Sequence, residues 1–462
     1  MTFSTYSFTL IFLPAVVLLY YLVGKRSAIA AKLLLIVSSL FFCAYSSLHN
    51  LWVFAISIVF NYVLMLLIQR SANRKRIVTI GVVLNCLLLC FYKYGHGLIL
   101  PLGISYYTFQ NIAFLVEMIN DEELRNVTVI DFLFYETFFP KLMQGPITPP
   151  QLFLSQCKND KTINPDWEKM FKGLYLFSIG LVKKIFIADR FAEVADIGFE
   201  WTYMLNSISV LISVVAFAVQ IYFDFSAYSD MAIGIGKLLG IDLPENFDSP
   251  YKAVSIRDFW KRWHISLTSF LTKYIYIPLG GNRKGRVRMY LNIMVVFIIS
   301  GIWHGSGANY IVWGCIHGLA MVIYRIFEKP LAKLPKLIGW MLTMVFVVFS
   351  WIFFRAISLD NAIEVIRTIL SFDMSGGISQ TITVALQYAP ISILLPQGLM
   401  QNIGWVVIDF VVTFIVLFLA PNSTKIVSGC KSNYKTILAI ALLFLFGVLS
   451  MSGGRVFLYV MY

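Results

Sequence analysis

Residues 51–69 read Leu-Trp-Val-Phe-Ala-Ile-Ser-Ile-Val-Phe-Asn-Tyr-Val-Leu-Met-Leu-Leu-Ile-Gln, with no charge among them. As an α-helix this run is about 28 Å long at about 1.5 Å per residue, close to the ~30 Å hydrocarbon core of a bilayer. It ends on Arg70, Arg74, Lys75 and Arg76, the cluster expected at a cytoplasmic helix end. Comparable apolar runs lie near residues 6–24, 29–48, 77–94, 103–119, 171–188, 206–223, 289–302, 308–326, 337–356, 403–420 and 435–451. Together they predict an all-α fold: a polytopic membrane helix bundle of about 10–12 transmembrane helices, with re-entrant or interfacial helices between them. Residues 1–462 read as a single membrane domain, without internal repeats or low-complexity linkers.

Composition agrees. Hydrophobic residues make up 59% of the chain and charged residues 13%, with a mean hydropathy of +0.77. A soluble chain has about 45–50% and about 25%, so an ordinary globular core is excluded. The net charge of +13 would suggest nucleic acid in a soluble protein. Here the cations lie between apolar runs, where they face an anionic inner leaflet, so the bilayer is the partner and nucleic acid is not. The N-terminal run reads as a first span with the N-terminus outside and Lys25-Arg26 inside, not as a removable signal. The six cysteines, at 43, 86, 90, 157, 315 and 430, form no Cys-x-x-Cys. Neither a disulfide framework nor a metal site is expected.

Three intervals do not read as simple spans: 120–170, rich in proline and aromatics with a polar stretch near 158–166; 224–288; and 357–400, with an amphipathic helix over Leu359–Leu370. Irregular backbone at membrane depth survives only where protein buries it or water lines it, so a cavity would be built there. Within 257–288 the balance is +7, from Arg257, Lys261, Arg262, Lys273, Arg283, Lys284, Arg286 and Arg288 against Asp258. Phe259, Trp260, Trp263, Phe270, Tyr274 and Tyr276 are interleaved. This pattern fits a helix in the headgroup plane, serving either as an anchor or as a docking surface for a phosphate-bearing thioester donor at Arg283, Lys284, Arg286 and Arg288.

The chain has five histidines. His49 and His96 sit at the ends of apolar runs and read as interfacial. His304, in Ser300-Gly-Ile-Trp-His-Gly-Ser-Gly307, is an ionisable group at a helix end between glycines. It is either a general base, with glycines that let a substrate approach, or an interfacial belt residue. His317, thirteen residues on, packs or hydrogen-bonds within the bundle, because about 20 Å of helix would separate the two rings. His264 reads as a solvated histidine beyond an Asp258–Arg262 pair. Among intramembrane acids, Asp189 is adjacent to Arg190, while Asp224 and Asp230 should line an interior cavity.

At this point the motifs resemble a known family. Leu100-Pro-Leu-Gly-Ile-Ser-Tyr-Tyr-Thr-Phe109, Phe138-Phe-Pro-Lys-Leu-Met-Gln-Gly-Pro-Ile147 and Lys183-Lys-Ile-Phe-Ile-Ala-Asp-Arg190 carry the resemblance. So do Asp224-Phe-Ser-Ala-Tyr-Ser-Asp230, Arg257-Asp-Phe-Trp-Lys-Arg-Trp-His-Ile-Ser266, Tyr276-Ile-Pro-Leu-Gly-Gly-Asn282 and Gly301-Ile-Trp-His-Gly305. In order over most of the chain, they resemble the membrane-bound O-acyltransferases, in the bacterial alginate O-acetyltransferase branch. The resemblance implies a bundle enclosing a funnel or tunnel, with His304 as the catalytic histidine and His264 at the second signature position. Asp224, Asp230, Asp189 and His317 are substrate or tunnel candidates. It also implies acetyl-CoA, or an acyl-carrier thioester, as a cytoplasmic cosubstrate, with no bound cofactor. The acceptor would be an exported or cell-wall polysaccharide, reached through an extracytoplasmic partner protein, from the bacterial plasma (inner) membrane. D-alanyl transfer to teichoic acids from a carrier-protein thioester is an alternative. A transporter, from another functional class, would also suit the polar midsection but lacks repeated halves.

Overall fold

The computed structural model describes residues 1–95, 97–157, 162–375, 403–451, 455 and 457–458. His96 and most of the loop expected over 371–400 lie outside them, as do 158–161 of the polar stretch.

Four antiparallel helices open the chain: α1 (Ser7–Gly24), α2 (Ala28–Ser46), α3 (Leu48–Arg70) and α4 (Arg74–Tyr94). Shorter helices follow: α5 (Ile104–Glu117), α6 (Val129–Thr137) and α7 (Phe139–Leu142). Next come α8 (Trp167–Val182), whose backbone continues as a π-helical stretch over Lys183–Ala188, then α9 (Asp189–Glu200) and α10 (Ser207–Leu238). Then come α11 (Ile256–Arg262), α12 (Ile265–Leu271), α13 (Arg286–His304), α14 (Ala308–Ile326), α15 (Lys336–Arg355) and α16 (Leu359–Leu370). The last two are α17 (Ile403–Leu419) and α18 (Tyr434–Leu449). Among the described residues there is no strand, and seven helices are long and apolar enough to cross a membrane. Many starts follow the sequence chemistry that satisfies orphan N–H groups: Ser27, Thr128, Asp166, Asn206, Ser255, Ser358 and Asn433 each accept from the first turn they cap.

The central pillar is α10, and it corrects one sequence boundary. The expected span ended at 223, yet the helix runs on through Asp224 and Asp230 to Leu238, largely buried. Its acids sit in a helix because lysines meet them there. Lys184 Nζ lies 2.7 Å from Asp224 and 2.8 Å from Asp189, and Lys183 Nζ lies 2.8 Å from Asp230. Asp224 also accepts from the Leu458 amide at 2.8 Å, and Phe457 beside it is fully buried. Close backbone approach makes these pairs reachable. A Cβ on Gly173 of α8 would lie 2.7 Å from the Gly234 oxygen, and one on Gly180 would lie 2.7 Å from that of Ala227. Small residues at such a crossing let helices associate in lipid.

Two further expectations change. The 103–119 run yields only the 14-residue α5, about 21 Å long and too short to cross alone. Residues 257–288 do not form one helix in the headgroup plane. They fold as α11, α12 and a π-helical turn at Thr272–Tyr276. Phe259, Trp260, Trp263 and Phe270 are buried in the protein, with Trp263 stacked on Phe259 and packed against Trp351 of α15. Protein aromatics, not lipid headgroups, take that apolar face.

Removing one partner of a buried charge cluster leaves an uncompensated ion, at a cost of about 3–5 kcal/mol. Lys184→Met should therefore lower the thermal midpoint of the detergent-solubilised protein sharply. Adding Asp224→Asn and Asp189→Asn should recover most of that loss, as read by a fluorescence melt. A triple variant no more stable than Lys184→Met would mean that the cluster is not electrostatically coupled.

Candidate functional site

The C-terminal turn of α13 carries Trp303 and His304. Its position is set by contact with α14, where side chains are absent. A Cβ on Gly301 would meet the Tyr310 carbonyl oxygen at 2.3 Å, and one on Gly314 would meet that of Phe297 at 2.4 Å. A Cβ on Gly305 would fall 2.1 Å from the Tyr310 ring. These glycines thus admit helix α14 and Tyr310, where the sequence reading had assigned them to substrate approach.

His304 is 5% exposed. Its ring centroid lies 4.8 Å from that of Trp303, 5.2 Å from Trp313 and 5.1 Å from Phe354. Trp303 in turn stacks on Phe109 of α5, and Phe109 on Phe270 of α12, at 5.2 and 4.3 Å. The imidazole therefore stands in an aromatic cage, where water is scarce and any polar contact it makes is strengthened by the low local dielectric.

His264 is buried, not solvated as expected. It occupies the turn between α11 and α12 with φ 44°, in left-handed space that costs a non-glycine residue about 1–3 kcal/mol. Its ring lies 4.7 Å from Phe225 in α10 and 6.2 Å from Trp303. Neither ring nitrogen has a hydrogen-bond partner among the described residues. The Asp258–Arg262 pair forms as the spacing predicts, at 2.9 Å.

His317 is saturated. Ser350 Oγ donates to the Val347 carbonyl and accepts from His317 Nε2 at 2.9 Å, leaving Nδ1 to accept from Trp260 Nε1 at 3.3 Å. That network assigns the neutral Nε2–H tautomer and a structural role, as the sequence suggested. Asp189, Asp224 and Asp230 pair with Lys183 and Lys184 of the π-helical stretch where it meets α10, and line neither cavity described next.

Two cavities approach the histidine turn. One is lined by Lys93, the 100–106 segment, Met143, Trp303 and His304, at the Tyr94 end of α4. The other is lined by Trp260, Leu267, Thr268, Tyr276, Asn282, Phe297, Ser300 and Arg325 among others. It extends from the Arg286 end of α13 to Ser300, one turn before His304. Arg283, Lys284, Arg286 and Arg288 are exposed next to Asn282, at that second mouth. At the same end of the bundle, Glu117 accepts from Tyr274 at 2.7 Å and pairs with Lys273. Among the described residues no group of three His, Cys, Asp or Glu could hold a metal.

The profile of the MBOAT, membrane-bound O-acyltransferase, family matches residues 16–359. The chain belongs to the membrane-bound O-acyltransferase family. It is 37% identical over 415 residues to the peptidoglycan O-acetyltransferase of Helicobacter pylori, covering 79% of each chain. It is 35% identical over 400 residues to the probable alginate O-acetylase AlgI of Pseudomonas aeruginosa, covering 80% of this chain and 75% of that one. The teichoic acid D-alanyltransferase of Bacillus subtilis is 26% identical over 274 residues, 56% of this chain and 69% of its own. This protein is thus a multi-pass membrane acyltransferase, which sets the transporter reading aside.

The sequence reading missed three residues that the structure places around His304 or its cavity. Trp313 and Phe354 enclose His304 from α14 and α15, and nothing in their local pattern distinguishes them from other bundle aromatics. Lys93 did leave a signal: it is the single charge in the 77–94 run, at the end opposite the basic cluster. Because the α13–α14 contact is backbone to backbone, Gly314→Ala must push the two helices apart. Misplacement by about 1 Å costs about 10²-fold. Gly314→Ala should lose acyl transfer on that scale while still inserting in the membrane; an initial rate above about a third of wild type would show that the crossing is not what aims His304.

Proposed function

We propose that the protein is an O-acetyltransferase of the bacterial plasma (inner) membrane. It moves acetyl from a cytoplasmic thioester, acetyl-CoA, toward an exported or cell-wall polysaccharide, with His304 as general base and a partner protein completing delivery outside. The observation that carries this reading is the histidine turn between two cavities: His304 lines one, and Ser300, one turn away, lines the other. By the positive-inside rule, the Arg70–Arg76 end of the bundle is cytoplasmic. Donor then enters beside Asn282 and Arg325, and acceptor enters beside Lys93 and Tyr106. In the step, His304 takes the proton of the acceptor hydroxyl. The oxygen bonds to the acetyl carbon, the C–S bond breaks, and the proton finally resides on the released thiol. The buried His264, whose ring nitrogens have no hydrogen-bond partner among the described residues and whose ring lies 6.2 Å from Trp303, suits a role in orienting the acyl group.

The acetyl donor is favoured by the acetyltransferase relatives, whose identity and coverage exceed those of the D-alanyltransferases. D-alanyl transfer from a carrier-protein thioester is the second reading, motivated by those more distant relatives. Purified protein in vesicles, given acetyl-CoA or a D-alanyl carrier thioester with alginate or peptidoglycan oligosaccharides, separates the two by mass spectrometry of the acceptor.

General-base catalysis contributes about 10²–10⁴-fold, so His304→Ala should abolish transfer in a protein that still folds. More than about a tenth of wild-type turnover would remove it from that role. Replacing Arg283, Lys284, Arg286 and Arg288 with Gln should raise donor KM and flatten its salt dependence, with kcat changed less. Exposed charges act over about 8 Å at physiological salt, so they steer the phosphates of the donor and leave the chemistry alone. An unaltered KM with an unaltered salt response would mean that donor enters by another face.

A further inference from the structure

Helix α13 ends on His304, and its last carbonyls have no acceptor role inside the helix. Two of them are taken by side chains from α4. Lys93 Nζ donates to the Trp303 carbonyl. Tyr94 Oη donates to that of Ile302 at 2.9 Å and reaches the Gly305 oxygen at 3.4 Å. The ammonium also lies 5.9 Å from the Trp303 ring centroid. The turn that carries the histidine is therefore held on one side by α14 and capped from the other by α4.

Lys93 differs from an ordinary helix cap in two respects. It lines the same cavity as His304, and among the described residues of that lining it is the one cation; its companions Leu100–Tyr106 and Met143 are neutral. It sits at the end of α4 away from the basic cluster, against the usual bias of cations. A membrane-embedded cation is costly and is kept where it has a partner and a task. Moreover, the C-terminus of a helix carries about −0.5 of an elementary charge, and Lys93 places a full positive charge against that end. Its ammonium has three donors, of which the Trp303 oxygen takes one.

We propose that Lys93 is a positioning residue for acyl transfer: its ammonium, bound to the Trp303 carbonyl, fixes the turn that aims His304 into the cavity. The inference rests on the reading of His304 as the general base. It predicts that the charge at position 93 is needed for turnover and not for donor capture, because Lys93 borders the cavity on the far side of the histidine from the donor mouth.

The test uses the full chain in vesicles, with acetyl-CoA and an alginate oligosaccharide. Lys93→Met should lower kcat by about 10–100-fold, the range for a misaimed catalytic group, with donor KM within about twofold and little change in melting midpoint. Lys93→Cys should be equally impaired. It should recover after treatment with 2-aminoethyl methanethiosulfonate, which rebuilds an ammonium at that site, and not after methyl methanethiosulfonate, which adds an uncharged group; identically treated wild-type protein gives the baseline. A kcat for Lys93→Met within about twofold of wild type overturns the proposal. So does equal recovery with both reagents, or a loss of kcat that follows the melting midpoint and is not rescued. His304→Ala run alongside keeps the two ideas apart: an active His304→Ala removes the base assignment, whereas an inactive one beside an active Lys93→Met removes only Lys93.

Discussion

Lys184 holds its ammonium between Asp189 and Asp224 inside a bundle surrounded by lipid. No solvent is at hand there to stabilise a stray charge, so each ion must find its counter-ion within the protein. Meeting that requirement draws α8, the π-helical stretch after it and α9 onto the central helix α10. Glycines at 173, 180 and 234 bring the backbones near enough for the short acidic side chains to be reached. The C-terminal segment joins the same cluster through Leu458. With that pillar fixed, α15 and α16 pack on its other side and present Trp351 and Phe354 to the histidine region.

The chemistry is gathered on a second rigid contact. Helices α13 and α14 meet through glycines, and Trp303, Trp313 and Phe354 enclose His304 in rings. Such surroundings shield the ring from bulk water and fix its orientation. His317 shows the contrast. It lies one ring from Trp313, at 4.9 Å, yet both its nitrogens are spent on Trp260 and Ser350. Two histidines of similar burial in the same aromatic cluster thus differ in setting: His304 lines the cavity that Lys93 also borders, while His317 is held between Trp260 and Ser350.

The charged patch at 283–288 and the histidine turn sit at opposite ends of α13, a 19-residue helix about 28 Å long. The same helix thus links the exposed cations at one end to the cavity-lining His304 at the other.

The sequence by itself determined the membrane bundle, since apolar runs of near 20 residues have no other stable setting. It also determined the family, through motifs spread over most of the chain, and it singled out His304 by its glycine-flanked setting. It did not show that Asp224 and Asp230 are paired with lysines at 183 and 184, because those partners are 40 and 47 residues away and local polarity cannot reveal pairing. It read 257–288 as lying in the headgroup plane, because interfacial aromatics and buried ones share a composition and differ only in what covers them. Tertiary structure alone decided that His264 is buried in a left-handed turn, that His317 is saturated and that Lys93 of α4 caps the helix bearing His304. Each depends on contacts between segments distant in sequence, and the energy of such a contact is set by which atoms meet, information that no local run of residues carries.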